Sequence, residues 1–217
     1  MKLIIQLLLW VVIIFLGYLV FNAVYDPVQF NKVKEKRYAK VIERLQDIRA
    51  AQLAHQEVTG RFAKDFDGLI RFIDTAEFVL TQRRDTTVLD EEYRKTYNVD
   101  QYMDIVLVDT LGYASVKDSL FKDDRYKQMM KVPVEGIDAE FEMDAGTVVK
   151  RENRIPVFEV KVDKAVVLHD QDRDLVLQEK QVVSVDQVNG PYIKVGSMED
   201  VSTAANWPDS YGKGNID

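Results

Sequence analysis

The chain has 217 residues, 47% of them apolar, a formal net charge of −7 and no cysteine. The missing cysteine excludes disulfides, thiolate catalysis and cysteine-ligated zinc, and leaves the redox compartment open. The charge is uneven, with seven Lys/Arg against three acids in residues 32–49 and an acidic remainder. That remainder argues against a nucleic-acid partner, because phosphate contact needs a basic face.

Between Lys2 and Asp26 no residue is charged, and only Gln6 and Asn22 are strongly polar. A run of about 20 apolar residues crosses a hydrocarbon core of roughly 30 Å, so residues 1–25 are expected to be a transmembrane anchor in a lipid bilayer. A cleaved signal peptide has a shorter apolar region and a small-x-small cleavage site; here the run is longer, and bulky Val20-Phe21-Asn22 precedes Ala23. Tyr25 suits the membrane interface, while Trp10 and Tyr18 lie too deep in the run to mark its edges.

A break is expected at Asp26-Pro27, followed by an amphipathic helix from Val28 to about Val58, the Pro sitting in its first turn. Tyr38, Val41, Ile42, Leu45, Ile48 and Ala51 recur at three- and four-residue steps and form one face. Lys36, Arg37, Lys40, Glu43, Arg44 and Asp47 form the other. Local charge pairs on such a face contribute only a few tenths of a kcal/mol, so the helix depends on covering its stripe. Tyr38, Val41, Leu45 and Ile48 are the candidate partner-binding residues, packing either on the chain's own sheet or on partner helices. Thr59-Gly60 ends the helix, since Gly takes the left-handed position without steric cost. Asp65 caps a short helix whose Phe66, Leu69, Ile70 and Ile73 fold back on the stripe; residues 26–75 thus form a stalk.

The order of anchor, proline and amphipathic helix, then Ile48-Arg49-Ala50-Ala51-Gln52-Leu53-Ala54-His55-Gln56-Glu57-Val58-Thr59-Gly60-Arg61-Phe62 and Asp67-Gly68-Leu69-Ile70, resembles type IV pilins and the pseudopilins of type II secretion. The resemblance covers about the first 70 residues and implies a half-embedded helix leading into a β-sheet headpiece outside the cytoplasm. The chain departs from the family in lacking a basic leader ending in Gly and a Glu near the start of the apolar run. The resemblance therefore implies a topology more than a filament.

Orientation has two opposed signals. Lys32, Lys34, Lys36, Arg37 and Lys40 outvote Lys2 plus the amino terminus and would keep the head in the cytoplasm. The resemblance implies the opposite, and the cluster begins several residues past the membrane edge. The head is expected on the extracytoplasmic side of an inner (cytoplasmic) membrane. The basic cluster would favour anionic headgroups or simply form a solvated helix face.

Residues 76–205 are expected to be an α+β, mainly antiparallel headpiece. Glu77 to Thr81 reads as a strand, Gln82 to Thr87 as a loop, and Asp90 to Tyr97 as a helix with Asp90 at its N-cap. Ile105 to Val108 and Tyr113 to Lys117 read as a hairpin around Asp109-Thr110-Leu111-Gly112. Asp123 to Met130 suits a helical turn, and Lys131 to Gly136 a linker or edge strand. Period-two alternation then marks strands at Ala139 to Asp144, Thr147 to Lys150 and Ile155 to Val162, with Pro156 at an edge or a start. Ala165 to Leu168, Val182 to Val185 and Tyr192 to Val195 continue the strand series, the last after an Asn189-Gly190-Pro191 turn. Residues 206–217 are a polar tail, ordered only if Trp207 docks.

No motif for catalysis, cofactor or metal binding emerges. His169-Asp170-Gln171-Asp172-Arg173-Asp174 opens like a calcium loop, but Leu175 stands where Gly belongs and Gln181 where the bidentate acid belongs; a solvated turn is expected. His55 and His169 are not at metal-ligand spacing, and His55 suits a helix C-terminus. The resulting expectation is a non-enzymatic, single-pass structural or adaptor component of the cell envelope. It would bind other envelope proteins, recruiting one by strand addition at the headpiece edges. A homo-oligomer is left open. The alternatives are a pseudopilin-like subunit polymerising through its N-terminal helix, and a membrane-tethered hydrolase using a carboxylate pair.

Overall fold

The computed structural model describes residues 2–212 and has the expected α+β architecture, a long N-terminal helix followed by antiparallel β-structure. The helix α1 runs unbroken from Lys2 to Thr59, 58 residues with Pro27 inside it. No break separates the apolar run from the rod. A proline's fixed φ suits an α-helix, and what it removes is one backbone donor. A helix strongly favoured on both sides tolerates that loss, as membrane helices do. At 1.5 Å per residue α1 reaches roughly 87 Å.

Gly60 stops α1 at φ 77°, its N–H donating to Gln56 O at 2.8 Å. Buried Gln52 then fixes the return of the chain, accepting from Ala63 N and donating to Ala63 O, both at 2.9 Å. The His55 ring packs on Phe72, with its Nδ1 2.6 Å from Arg61 O. Helix α2 (Phe66–Thr75) is capped as expected, Asp65 accepting from Gly68 N, and it buries Leu69, Phe72 and Ile73.

The main sheet has the order β3-β4-β5, all antiparallel: β3 Glu142–Lys150, β4 Asn153–Asp163 and β5 Tyr192–Gly196. Strand β3 starts later than expected and passes straight through Ala145-Gly146. Arg151 and Glu152, both at positive φ, make the β3–β4 turn. Pro156 lies on the half of β4 that β5 does not cover, so the edge expectation holds although β4 is the central strand. Gly196 closes β5 at φ 78°, where an added Cβ would lie 2.2 Å from Phe158 O; only glycine fits.

Two expected strands are absent. Residues 164–167 are a helical turn, α5 (Lys164–Val167), because Asp163 caps it through Ala165 N. Val182 to Val185 is an irregular loop after helix α6 (Arg173–Lys180). A 3₁₀ turn at Asp124–Gln128, capped by Asp123, stands where a helical turn was expected. Trp207 and Tyr211 pack, half-buried, on the core; residues 213–217 of the tail lie outside the described residues.

One core holds the head. The rod's stripe joins Leu69 and Ile73 of α2, Phe158, Val160 and Ile193 of the sheet, and Phe121, Tyr126 and Met129 of the connecting segment. Stalk and headpiece are therefore a single packing unit. Each fully buried large apolar side chain stabilises by about 1.5–3 kcal/mol, far above any single exposed charge pair on the opposite face. Replacing Gln52 by Leu would leave Ala63 N–H and C=O unpaired in the core. The expected cost is about 1–3 kcal/mol, read as a lower denaturation midpoint of the detergent-solubilised chain.

Candidate functional site

The four candidate partner-binding residues are spent on the protein's own fold. Tyr38 is 1% exposed and Val41, Leu45 and Ile48 are 0% exposed, so of the two packings expected for the stripe the structure has the one against its own head. They offer no surface to a partner.

Where the rod meets α5 and α6, the structure builds a buried ion cluster that the sequence did not announce. Glu179, near the end of α6, receives Lys34 Nζ on Oε2 and Lys164 Nζ on Oε1, each at 3.0 Å. The Tyr38 hydroxyl donates to the same Oε1 at 3.3 Å. Lys164 is fully buried, and its ammonium also donates to the Glu179 and Val188 carbonyls at 2.7 and 2.8 Å. All three of its protons are thus placed. Burial lowers the Lys164 pKa, opposed by Glu179 and reinforced by Lys34. The Tyr38 pKa is raised by burial and then by the carboxylate, which keeps the hydroxyl a donor. Two ammonium groups and a phenol leave Glu179 facing donors, so the cluster clamps the rod to α5 and α6.

The calcium-like run is explained by the same region. Asp170 accepts two bonds from Arg37, at 2.6 and 2.8 Å, and Arg37 also reaches Val167 O. Asp172 caps α6 through Asp174 N and Leu175 N. His169 lies against Gly136 and borders a cleft with Ile137, Asp163 and Ala165. In that cleft Asp163 also holds Lys180, while Asp138 holds Lys131.

The second feature is a long ribbon. Strand β1 (Glu77–Leu89) pairs antiparallel with β2 (Tyr102–Ser115) over its whole length, in a sheet of two strands. At about 3.3 Å per residue it extends roughly 43 Å. Helix α3 (Glu91–Tyr97), capped by Asp90 as expected, sits at its tip. The expected loop at Gln82–Thr87 is therefore strand. The expected turn at Asp109–Gly112 is instead a bulge, the pairing jumping from Leu80–Gly112 to Thr81–Thr110 and leaving Leu111 over. A bulge of this kind bends and twists a strand without ending it.

Among the described residues no third strand pairs with either edge of the ribbon. One face carries Val79, Tyr113, Val106, Val108 and Tyr102, and the other Leu80, Leu107 and Met103, all exposed. A two-stranded ribbon is marginally stable alone, and a long apolar edge is a template for pairing. The β-branched residues Thr86-Thr87-Val88 and the run Ile105-Val106-Leu107-Val108 are its traces in sequence.

Two outcomes follow from the cluster. Glu179→Gln leaves two buried ammonium groups with a weakened partner and is expected to destabilise by about 3–5 kcal/mol, measured by denaturant titration of the solubilised chain. Arg37 holds the Asp170 pKa below the usual carboxylate range, chiefly by hydrogen bonding. A lowered folded pKa contributes stability above the unfolded value, lost as pH falls through it. Asp170→Asn, at this partly exposed pair, is expected to cost about 1 kcal/mol or less at pH 7, with the difference from the parent chain vanishing in acid.

Comparison with protein families, with curated proteins and with solved structures finds no match to this chain.

Proposed function

We propose that the chain is a single-pass, membrane-anchored adaptor or structural component of the cell envelope, and that its β1–β2 ribbon is the partner-binding element. The helix Lys2–Thr59 contains a stretch long and apolar enough to span a bilayer, and none of that stretch is covered by the rest of the protein. The observation that carries the reading is the ribbon: with exposed apolar side chains on both faces, most of them on β2, and with both edges unpaired, it suits an added strand from an envelope protein. The head would stand on the extracytoplasmic side of an inner membrane, presented by a stiff stalk. No reaction is part of this reading.

A photo-crosslinking residue at Val108, with one at Val149 of β3 as a control, tests it in intact membranes. The expected outcome is a discrete adduct with another envelope protein from position 108 and none from 149. Recovery of a freely diffusing, uncrosslinked monomer would remove the adaptor reading. Adducts confined to a second copy through residues 3–24 would replace it by polymerisation through the N-terminal helix.

A further inference from the structure

The most exposed large apolar side chains among the described residues belong to neither the anchor nor the ribbon. Val183 and Val185, in the loop after α6, are each 89% exposed. The loop is not slack: Gly190 N donates to Val182 O at 3.0 Å, Ser184 N to Asn189 Oδ1 at 2.6 Å, and buried Val188 offers its carbonyl to Lys164. A closed loop with a pinned base holds two valines outward.

Its place on the rod follows from contacts along the sheet. Met143, partner of Val160, touches Gln52, whereas Lys164 at the end of β4 meets Tyr38, and Glu179 meets Lys34. Strand β4 thus descends the rod toward the apolar run, and the loop, joined to Lys164 through Pro191 O, hangs from that lower end. The head begins to cover the rod at Pro27 and Gln29, and Phe30 is buried in the core. From Tyr25 to Phe30 is about 8 Å at 1.5 Å per residue. The headgroup layer is itself about 5–8 Å thick per side, the difference between a 30 Å core and a 40–45 Å bilayer. Little room is left for water beneath the head.

We propose that Val183 and Val185 rest in the headgroup layer of the bilayer that residues 3–24 cross, docking the head on the membrane surface. This rests on the anchor reading above. Lipid is the occupant because α1 is continuous from the apolar run into the head, and Glu179, four residues before Val183, is held at Lys34 near the start of the covered part of that helix. Exposed Lys32 lies on the same stretch of rod, where its ammonium meets lipid phosphate. Asp186 is the only charge in residues 181–190, so the contact depends on apolar insertion and not on anionic lipid.

The chain has no cysteine, so Val183→Cys, Val185→Cys, Val149→Cys and Ile14→Cys each give a single labelling site. The full-length variants, carrying an environment-sensitive fluorophore, are reconstituted in phosphatidylcholine vesicles containing a lipid with a shallow acyl-chain nitroxide. Labels at 183 and 185 are expected to lose most of their fluorescence, as at 14, while the label at 149 keeps it. Quenching at 14 with none at 183 or 185 would overturn the docking and leave the anchor, pointing to a protein cover for the valines. Absence of quenching at 14 would overturn the anchor and the docking together.

Discussion

A helix with one apolar stripe and one charged face cannot stand on its charges. The mixed pairs along Lys36 to Asp47 contribute at most a few tenths of a kcal/mol each, so the rod needs cover for Tyr38, Val41, Ile42, Leu45 and Ile48. The head supplies it. Leu69 and Ile73 close one side of the stripe, and the sheet and the segment around Phe121, Tyr126 and Met129 close the rest. Polar devices then fix the angle between rod and head: Gln52 on Ala63, the Tyr126 hydroxyl on Asp74, and Arg44 on Gln128 O. The rod from Phe30 onward and the folded head are one packing unit because they share one core.

The lower end of that body is locked differently. Lys34, Tyr38 and Lys164 converge on Glu179, a costly arrangement in a low-dielectric site unless every donor has an acceptor. Lys164 meets that requirement with three acceptors. Such a cluster is specific about which elements meet. It ties the rod to the end of α6 and to the loop that carries Val183 and Val185.

The ribbon contrasts with both. Its strands satisfy each other's backbone, yet beyond Phe78 at its base, which packs on the core, its side chains bury almost nothing. Stability concentrates where the rod is gripped, and unspent apolar surface concentrates in the ribbon. That division suits a protein whose head is held in place while an arm is left for another molecule.

The sequence by itself determined the features that are local in the chain. The apolar run, the stripe at helical spacing, the Gly60 stop, and the Asp65 and Asp90 caps each need only neighbours a few residues away, and each is present. Misread were places where one local signal fits two structures: Pro27 suits a first turn or a helix interior, and Asp109 to Gly112 a turn or a bulged strand. Only the tertiary structure decided which. It also decided that the stripe is buried in the protein's own head, and that Glu179 meets lysines 145 and 15 residues away in sequence. The physical reason is reach: hydrogen bonds to the next turn are written in the local chain, while burial and charge pairing depend on what distant segments bring to the same place.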